Sequence, residues 1–390
     1  MKKLLSLALC ALLLAGNAAA LPAMGTLTAK SAALYDANGQ NLYELNAEEP
    51  LQPASVTKIM TMLLAMEALE RGDVALDTMI TGSAHAASMG GTQIWLEQGE
   101  QMPFEDMMKA IVVASANDCS VAVAEHLAGS EESFVDLMNS RAKELGCRNT
   151  AFVNANGLDE GEQKTMTSAR DLALISAELL KHPKVLEYTT IWMDTIRDGA
   201  FGLANTNKML RQYKGLIGLK TGFIREAGFC ISAAATRDGM TLIATVMAAP
   251  TKEDRMADAT ALLNYGFAHF APYTPDLTAA LTPVAVRMGL QNAVNVQAEP
   301  IQPVVVSKEK IANVSTEIRL PAQVDAPVTK GQELGTAVIL DGETPLATVR
   351  LTAAEAVERL HFSDIYHRFL LSALMKNEPS VPAPPPPETA

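Results

Sequence analysis

Three short groups of residues carry side chains suited to nucleophilic chemistry. The first, Ser55-Val56-Thr57-Lys58, follows Pro53 and opens a run rich in Met and Leu. A helix beginning there sets the Ser55 hydroxyl and the Lys58 amine one turn apart on one face. A serine is a weak nucleophile near neutrality until a base takes its proton, and a lysine serves as that base when burial or a neighbouring cation lowers its pKa. The N-terminus of the helix adds positive potential beneath the forming alkoxide. The second group, Ser115-Ala116-Asn117, falls between two helical runs. There Ser115 could relay a proton between a lysine and a leaving amine, and Asn117 could hold a substrate amide through its donor and acceptor. The third, Lys220-Thr221-Gly222, falls on a strand expected over 216–223. It offers a positive charge, a hydroxyl and a residue without Cβ that lets a substrate backbone approach the strand. Each group alone is unspecific: an exposed helical turn, a helix cap and an ordinary strand edge would account for them. Their order within one chain is the informative feature.

The elements that must position these groups mix helix and strand. Residues 35–40 read as a strand entering a hairpin turn, and 59–71 as a helix of good formers ending at Gly72. Further helices fit 104–114, 118–128, 131–145 and 168–181. Residues 228–235 and 241–248 read as buried strands around the turn Asp238-Gly239. The expectation is a sheet covered by helices over 21–271.

From Pro272 the texture changes to short β-type runs at 283–287, 293–297, 304–307, 314–320, 334–340 and 346–351 between Pro and Gly turns. That spacing predicts a small all-β domain over 272–352 with no acid, His or Cys cluster for chemistry of its own. Beyond it, Phe362, Ile365, Tyr366, Phe369, Leu370, Ala373 and Leu374 share one side of a helix placed within 353–376, with Arg359, His367, Arg368 and Lys376 nearby. Such a stripe either lies on a membrane surface or packs on the β domain. The Pro-rich segment 377–390 is expected to be a disordered tail.

At the other end, Lys2 and Lys3, the apolar run 4–15 and Ala18-Ala19-Ala20 have the layout of a cleaved export signal over 1–20. That places the mature protein outside the cytoplasm, peripheral on the outer face of the cell membrane. Cleavage leaves Cys119, Cys147 and Cys230, an odd number without metal-ligand spacing, so neither a disulfide framework nor a metal site is expected. Lys and Arg total 31 against 44 Asp and Glu, a net charge of −13, which argues against nucleic acid as a partner. Gly-x-Ser-x-Gly, His-Glu-x-x-His and Gly-x-x-x-x-Gly-Lys are all absent, removing the starting points for hydrolase-elbow, zinc-protease and nucleotide readings.

Taken together in order, the three groups match the S-x-x-K, S-x-N and K-T-G signatures of penicillin-recognising serine enzymes. The chain resembles the low-molecular-weight penicillin-binding proteins that act as D-alanyl-D-alanine carboxypeptidases. The likeness extends over about 25–375 and includes Phe152-Val153-Asn154, Asn156-Gly157-Leu158, Ala169-Arg170-Asp171 and Leu262-Leu263-Asn264-Tyr265-Gly266-Phe267. The resemblance implies an α/β (α+β) transpeptidase-like catalytic domain with an antiparallel sheet covered by helices, followed by the all-β domain and the amphipathic helix. It implies Ser55 as nucleophile, Lys58 as base, and Ser115 with Lys220 passing the proton to the departing D-alanine. It also implies an oxyanion hole from the N–H groups of Ser55 and Phe223, and a carboxylate clamp from Thr221 and Arg255. Substrates would be peptidoglycan stem peptides ending in D-Ala-D-Ala, with β-lactams as acylating agents and no cofactor. Two departures stand out: Phe223 where many relatives carry histidine, and Ala116 where others carry glycine. Between Asn117 and Lys220 no glutamate precedes an asparagine by four residues, so the deacylating motif of class A β-lactamases is missing. The remaining alternatives are a D,D-endopeptidase and a non-catalytic penicillin-binding scaffold or sensor.

Overall fold

The sequence predicts buried strands over 228–235 and 241–248 and an edge strand over 216–223. A computed structural model, which describes residues 24–375 except Glu160, bears this out. The expected leader (1–20) and Pro-rich tail (377–390) lie outside the described residues. Contacts divide the chain after Ala271 into two compact units.

The first unit is built on a five-stranded sheet of β1 (Ser31–Asp36), β2 (Asn41–Leu45), β3 (Leu216–Ile224), β4 (Gly228–Arg237) and β5 (Met240–Ala249). The strand order is β2-β1-β5-β4-β3, antiparallel throughout. One face, with Ala33, Tyr35, Ile243 and Met247, joins the main helical core. That core surrounds α1 (Lys58–Arg71), which is buried on nearly all sides, and includes α2 (Phe104–Lys109), α3 (Asn117–Ala128) and α4 (Ala169–Leu179). Leu34 and Leu242 face the other way, toward α5 (Lys252–His269), where a Cβ at Gly266 would collide with the Leu242 side chain. The sheet is thus sandwiched, and β3 remains an edge whose outer backbone groups are open to an added strand.

Local signals set the element ends. Gly72 closes α1 at φ 78°, its N–H reaching the Ala68 and Leu69 carbonyls, and the Ser168 hydroxyl caps α4 by accepting from the Asp171 N–H. The expected helix 104–114 is α-helical only to Lys109. Ala110–Ala114 widens into a π-turn because Ser115 takes a left-handed conformation (φ 66°), leaving the Ala116 N–H on the Ala110 carbonyl. A hairpin of Met193–Ile196 and Phe201–Ala204, not foreseen from the sequence, leads back to β3.

The second unit has a four-stranded antiparallel sheet ordered Val296–Ala298, Thr344–Ala353, Glu333–Asp341, Val314–Arg319, and a three-stranded sheet centred on Val284–Arg287. The single run expected at 293–297 is divided between them, Ala293–Val294 in one and Val296–Ala298 in the other. At the break, the Asn295 main-chain and side-chain N–H groups both donate to the Glu355 carboxylate, which holds the bend. Two small cores result, one around Val284, Val294 and Val357, the other around Val306, Ile339 and Leu351. The terminal helix α6 (Phe362–Met375) has Phe362, Ile365, Tyr366, Phe369 and Leu370 exposed by more than a third of their surface. The side chains of His367, Arg368, Ala373, Leu374 and Lys376 lie outside the described ones. No described helix is long and apolar enough to cross a membrane.

A loop over 151–167 pins the start of α1. Leu51 pairs with Thr167, and Gly157 (φ 81°) lies against the Ala54 carbonyl so closely that a Cβ would fall on that oxygen. Gly157→Ala is therefore expected to cost about 2 kcal/mol or more, from the left-handed backbone and the overlap together. Thermal unfolding checks this, and an unchanged midpoint would contradict the packing described.

Candidate active site

The turn Ala54–Thr57 is a 3-10 helix that runs into α1, and its three-residue period stacks Ser55 directly over Lys58. Lys58 is fully buried, and its Nζ has three neighbours: Ser55 Oγ at 3.1 Å, Asn117 Oδ1 at 2.7 Å and the Asn156 carbonyl at 2.7 Å. Two of these can only accept. In a neutral amine they take both N–H groups, and the lone pair is left facing the Ser55 hydroxyl, which then donates to it. Burial, and secondly the positive charge of Lys220, push the Lys58 pKa well below its ordinary value. Geometry and electrostatics therefore agree on a poised base.

Asn117 opens α3, its N–H donating to the Thr92 carbonyl at 2.7 Å and its Nδ2 to the Gly90 carbonyl at 2.8 Å. Its Oδ1 is on Lys58, so within the fold Asn117 positions the amine, and one N–H of Nδ2 is left for a substrate carbonyl. The Asn156 carbonyl is fixed in turn by Asn154, whose Oδ1 accepts from the N–H groups of Asn156 (3.1 Å) and Gly157 (2.6 Å). Ser115 is buried between these elements, but its hydroxyl bonds neither lysine.

Strand β3 closes the other side. Lys220 is buried, with Nζ donating to the Thr221 carbonyl at 2.8 Å, and burial followed by the Arg255 charge brings its pKa down to about 7. Backbone N–H and C=O groups alternate along a strand, so the Phe223 N–H lies on the same side as that Thr221 carbonyl. The Thr221 hydroxyl is 2.8 Å from that of Thr206. Gly222 faces the Ser55 turn: a Cβ there would stand 2.5 Å from the Pro53 carbonyl and 3.0 Å from the Ser55 nitrogen. Behind the strand, Arg255 of α5 is buried, one Nη donating to the Gly222 and Cys230 carbonyls at 3.3 Å each, while its Nε has no partner. Phe223 is 54% exposed and stacks on Phe229 with ring centroids 4.2 Å apart.

The fold thus brings Ser55, Lys58 and Asn117 into direct contact and sets Lys220, Thr221, Gly222, Phe223 and Arg255 along the opposite edge. Sequence reasoning had no role for Asn154, Asn156, Thr206 or Asp118. Asn154 and Asn156 sit in an Asn-x-Asn-Gly stretch that signals a turn, but nothing local indicates that its carbonyl reaches Lys58. Among the described residues Cys119, Cys147 and Cys230 form no disulfide, and burial raises the pKa of each thiol.

Residues 16–251 match the family described as D-alanyl-D-alanine carboxypeptidase, Peptidase_S11, and residues 273–359 match the penicillin-binding protein 5 C-terminal domain. The D-alanyl-D-alanine carboxypeptidase DacF of Bacillus subtilis is 42% identical over 343 residues, 86% of this chain and 87% of that protein. Among solved structures, penicillin-binding protein 5 of Haemophilus influenzae is 29% identical with a TM-score of 0.73, over 87% of this chain and all of that one. Penicillin-binding protein D2 of Listeria monocytogenes, solved in an ampicillin-bound form, is 35% identical with a TM-score of 0.58, over 63% of this chain and all of that one. With the sheet, the lysine-backed serine and the edge strand in place, the chain belongs to the D-alanyl-D-alanine carboxypeptidase family of serine peptidases and carries that family's penicillin-binding protein 5 type C-terminal domain.

Proposed function

We propose that the protein is a serine D-alanyl-D-alanine carboxypeptidase that removes the terminal D-alanine from peptidoglycan stem peptides. The observation that carries this reading is the Lys58 amine, held at 3.1 Å from Ser55 with its two other positions taken by acceptors. Ser55 Oγ attacks the carbonyl of the penultimate D-alanine as its proton passes to Lys58 Nζ. The N–H groups of Ser55 and Phe223 stabilise the oxyanion. The Thr221 hydroxyl, with the fixed charge of Arg255 behind it, holds the terminal carboxylate, and Asn117 offers its remaining N–H to a substrate carbonyl. Collapse of the tetrahedral intermediate releases D-alanine, whose amine takes the proton from Lys58 by way of Ser115 and Lys220 once substrate draws them together. Water then hydrolyses the Ser55 ester. A β-lactam opens onto the same oxygen, but its leaving group stays tethered and the ester persists.

The pattern at 1–20 supports export, and the exposed apolar residues of α6 support peripheral attachment to the outer face of the cell membrane.

Purified protein incubated with diacetyl-L-lysyl-D-alanyl-D-alanine is expected to release free D-alanine, and Ser55→Ala to release none. Absence of release by the wild type, or undiminished release by the variant, sinks the proposal. The two lysines further predict a bell-shaped pH profile for acylation. As pH falls through the depressed pKa of Lys58 the amine becomes charged and stops accepting the serine proton, so the rate drops on the acid side. As pH rises through about 7, Lys220 loses the charge and proton it contributes, so the rate drops on the alkaline side. Lys220→Arg, always charged but unable to pass a proton on, should remove the alkaline limb, keep the acid one and lower the maximal rate. Finally, a chain ending at Leu360 should leave the membrane fraction and remain active; continued sedimentation with membranes would place the anchor elsewhere.

A further inference from the structure

Among the described residues of the catalytic unit, the exposed large apolar side chains are Met79, Trp95, Leu137, Met193 and Phe223. Trp95 combines two costs that folding alone does not explain. It is 66% exposed, and its backbone is left-handed at φ 55°, a conformation bulky residues avoid. Strain of this kind persists only where surrounding contacts over-determine it, and here they are visible. The N–H groups of Ile94 and Leu96, on either side of the ring, both donate at 3.0 Å to one oxygen of the buried Asp118 carboxylate. Arg197 donates to the Ile94 carbonyl at 2.9 Å and to the Trp95 carbonyl at 3.4 Å, and is itself held by Glu100 at 2.7 Å. The indole meets Phe201 edge to face, centroids 5.9 Å apart, and the Arg197 guanidinium lies 5.4 Å from the Phe201 ring centroid.

This bracing is anchored at the site. Asp118 is the neighbour of Asn117, whose own N–H holds Thr92, three residues before Trp95 and so within about 11 Å along even a fully extended chain. The backbone that carries the ring is therefore tied to the element that carries Asn117.

We propose that Trp95, braced by Phe201, is a specificity-determining residue that packs on the aliphatic arm of the stem-peptide residue preceding the two D-alanines. This rests on the carboxypeptidase reading above. The two D-alanines present only methyl groups, so discrimination among stem peptides falls on the preceding diamino acid. Its methylene chain suits an exposed indole face, and a free terminal ammonium would be attracted by the same ring. Pre-ordering the ring removes the cost of fixing it when substrate arrives.

The test compares kcat/KM for D-alanine release from diacetyl-L-lysyl-D-alanyl-D-alanine and from acetyl-L-alanyl-D-alanyl-D-alanine, together with the rate of acylation by benzylpenicillin. Wild type should favour the lysyl peptide by about tenfold, the scale set by burying a few methylenes. Trp95→Asn, a residue that tolerates the left-handed backbone, should bring the two peptides to parity through the lysyl substrate alone and leave penicillin acylation unchanged. Trp95→Phe should retain most of the preference. An unchanged peptide ratio in an Asn variant that still acylates normally overturns the proposal, as does an equal loss on both peptides. Loss of acylation in both variants would also overturn it, making Trp95 a folding residue. Failure of the carboxypeptidase reading looks different: the wild type would then release D-alanine from neither peptide.

Discussion

An amine buried without a bonded carboxylate is the constraint on which the molecule is organised. Removing an ammonium from water costs several kcal/mol, and Lys58 meets only neutral acceptors. A second buried lysine, Lys220, raises that cost further. Both effects favour the neutral amine over the charged one, and a neutral amine has a lone pair. Everything that fixes its direction is therefore part of the chemistry: the 3-10 turn that stacks Ser55 above it, the start of α3 that brings Asn117, and the loop whose Asn154 holds the Asn156 carbonyl in place. Burying α1 on nearly all sides is what excludes water from the lysine, so the size of the helical core is itself a functional property.

The second requirement is a rigid strand edge close to Ser55. Strand β3 is kept in place by its pairing with β4 and by Arg255, which reaches through from α5 to two strand carbonyls. Gly222 permits the close approach to the Pro53–Ser55 backbone that a side chain would prevent. The same edge leaves backbone groups open for an extended peptide, which is how a short D-configured segment can be bound mainly through its main chain. Phe223 then sets the character of the wall beyond it, an apolar ring stacked on Phe229 in place of a titratable imidazole.

Much of this was legible in the chain. The three signature groups, the long apolar strands, the helix stop at Gly72 and the texture change at Pro272 are local patterns, and local patterns are what residue types encode directly. Less legible were features that depend on one segment meeting another. The run at 293–297 reads as one strand because its alternation is continuous, yet a carboxylate from Glu355 bends it into two sheets. The helix expected to reach residue 114 opens into a π-turn because of the conformation needed at Ser115.

The sequence by itself determined which groups could react and their order: a hydroxyl and an amine one helical turn apart, an amide, and a lysine-bearing strand. Spacing within a turn is a matter of covalent geometry, so the Ser55 to Lys58 relation needed nothing else. Whether Lys58 is a buried amine of lowered pKa or an ordinary surface cation was decided only by tertiary structure. Desolvation, the nearby charge of Lys220 and the carbonyl of Asn156, 98 residues away in the chain, act together only once the core has closed around them.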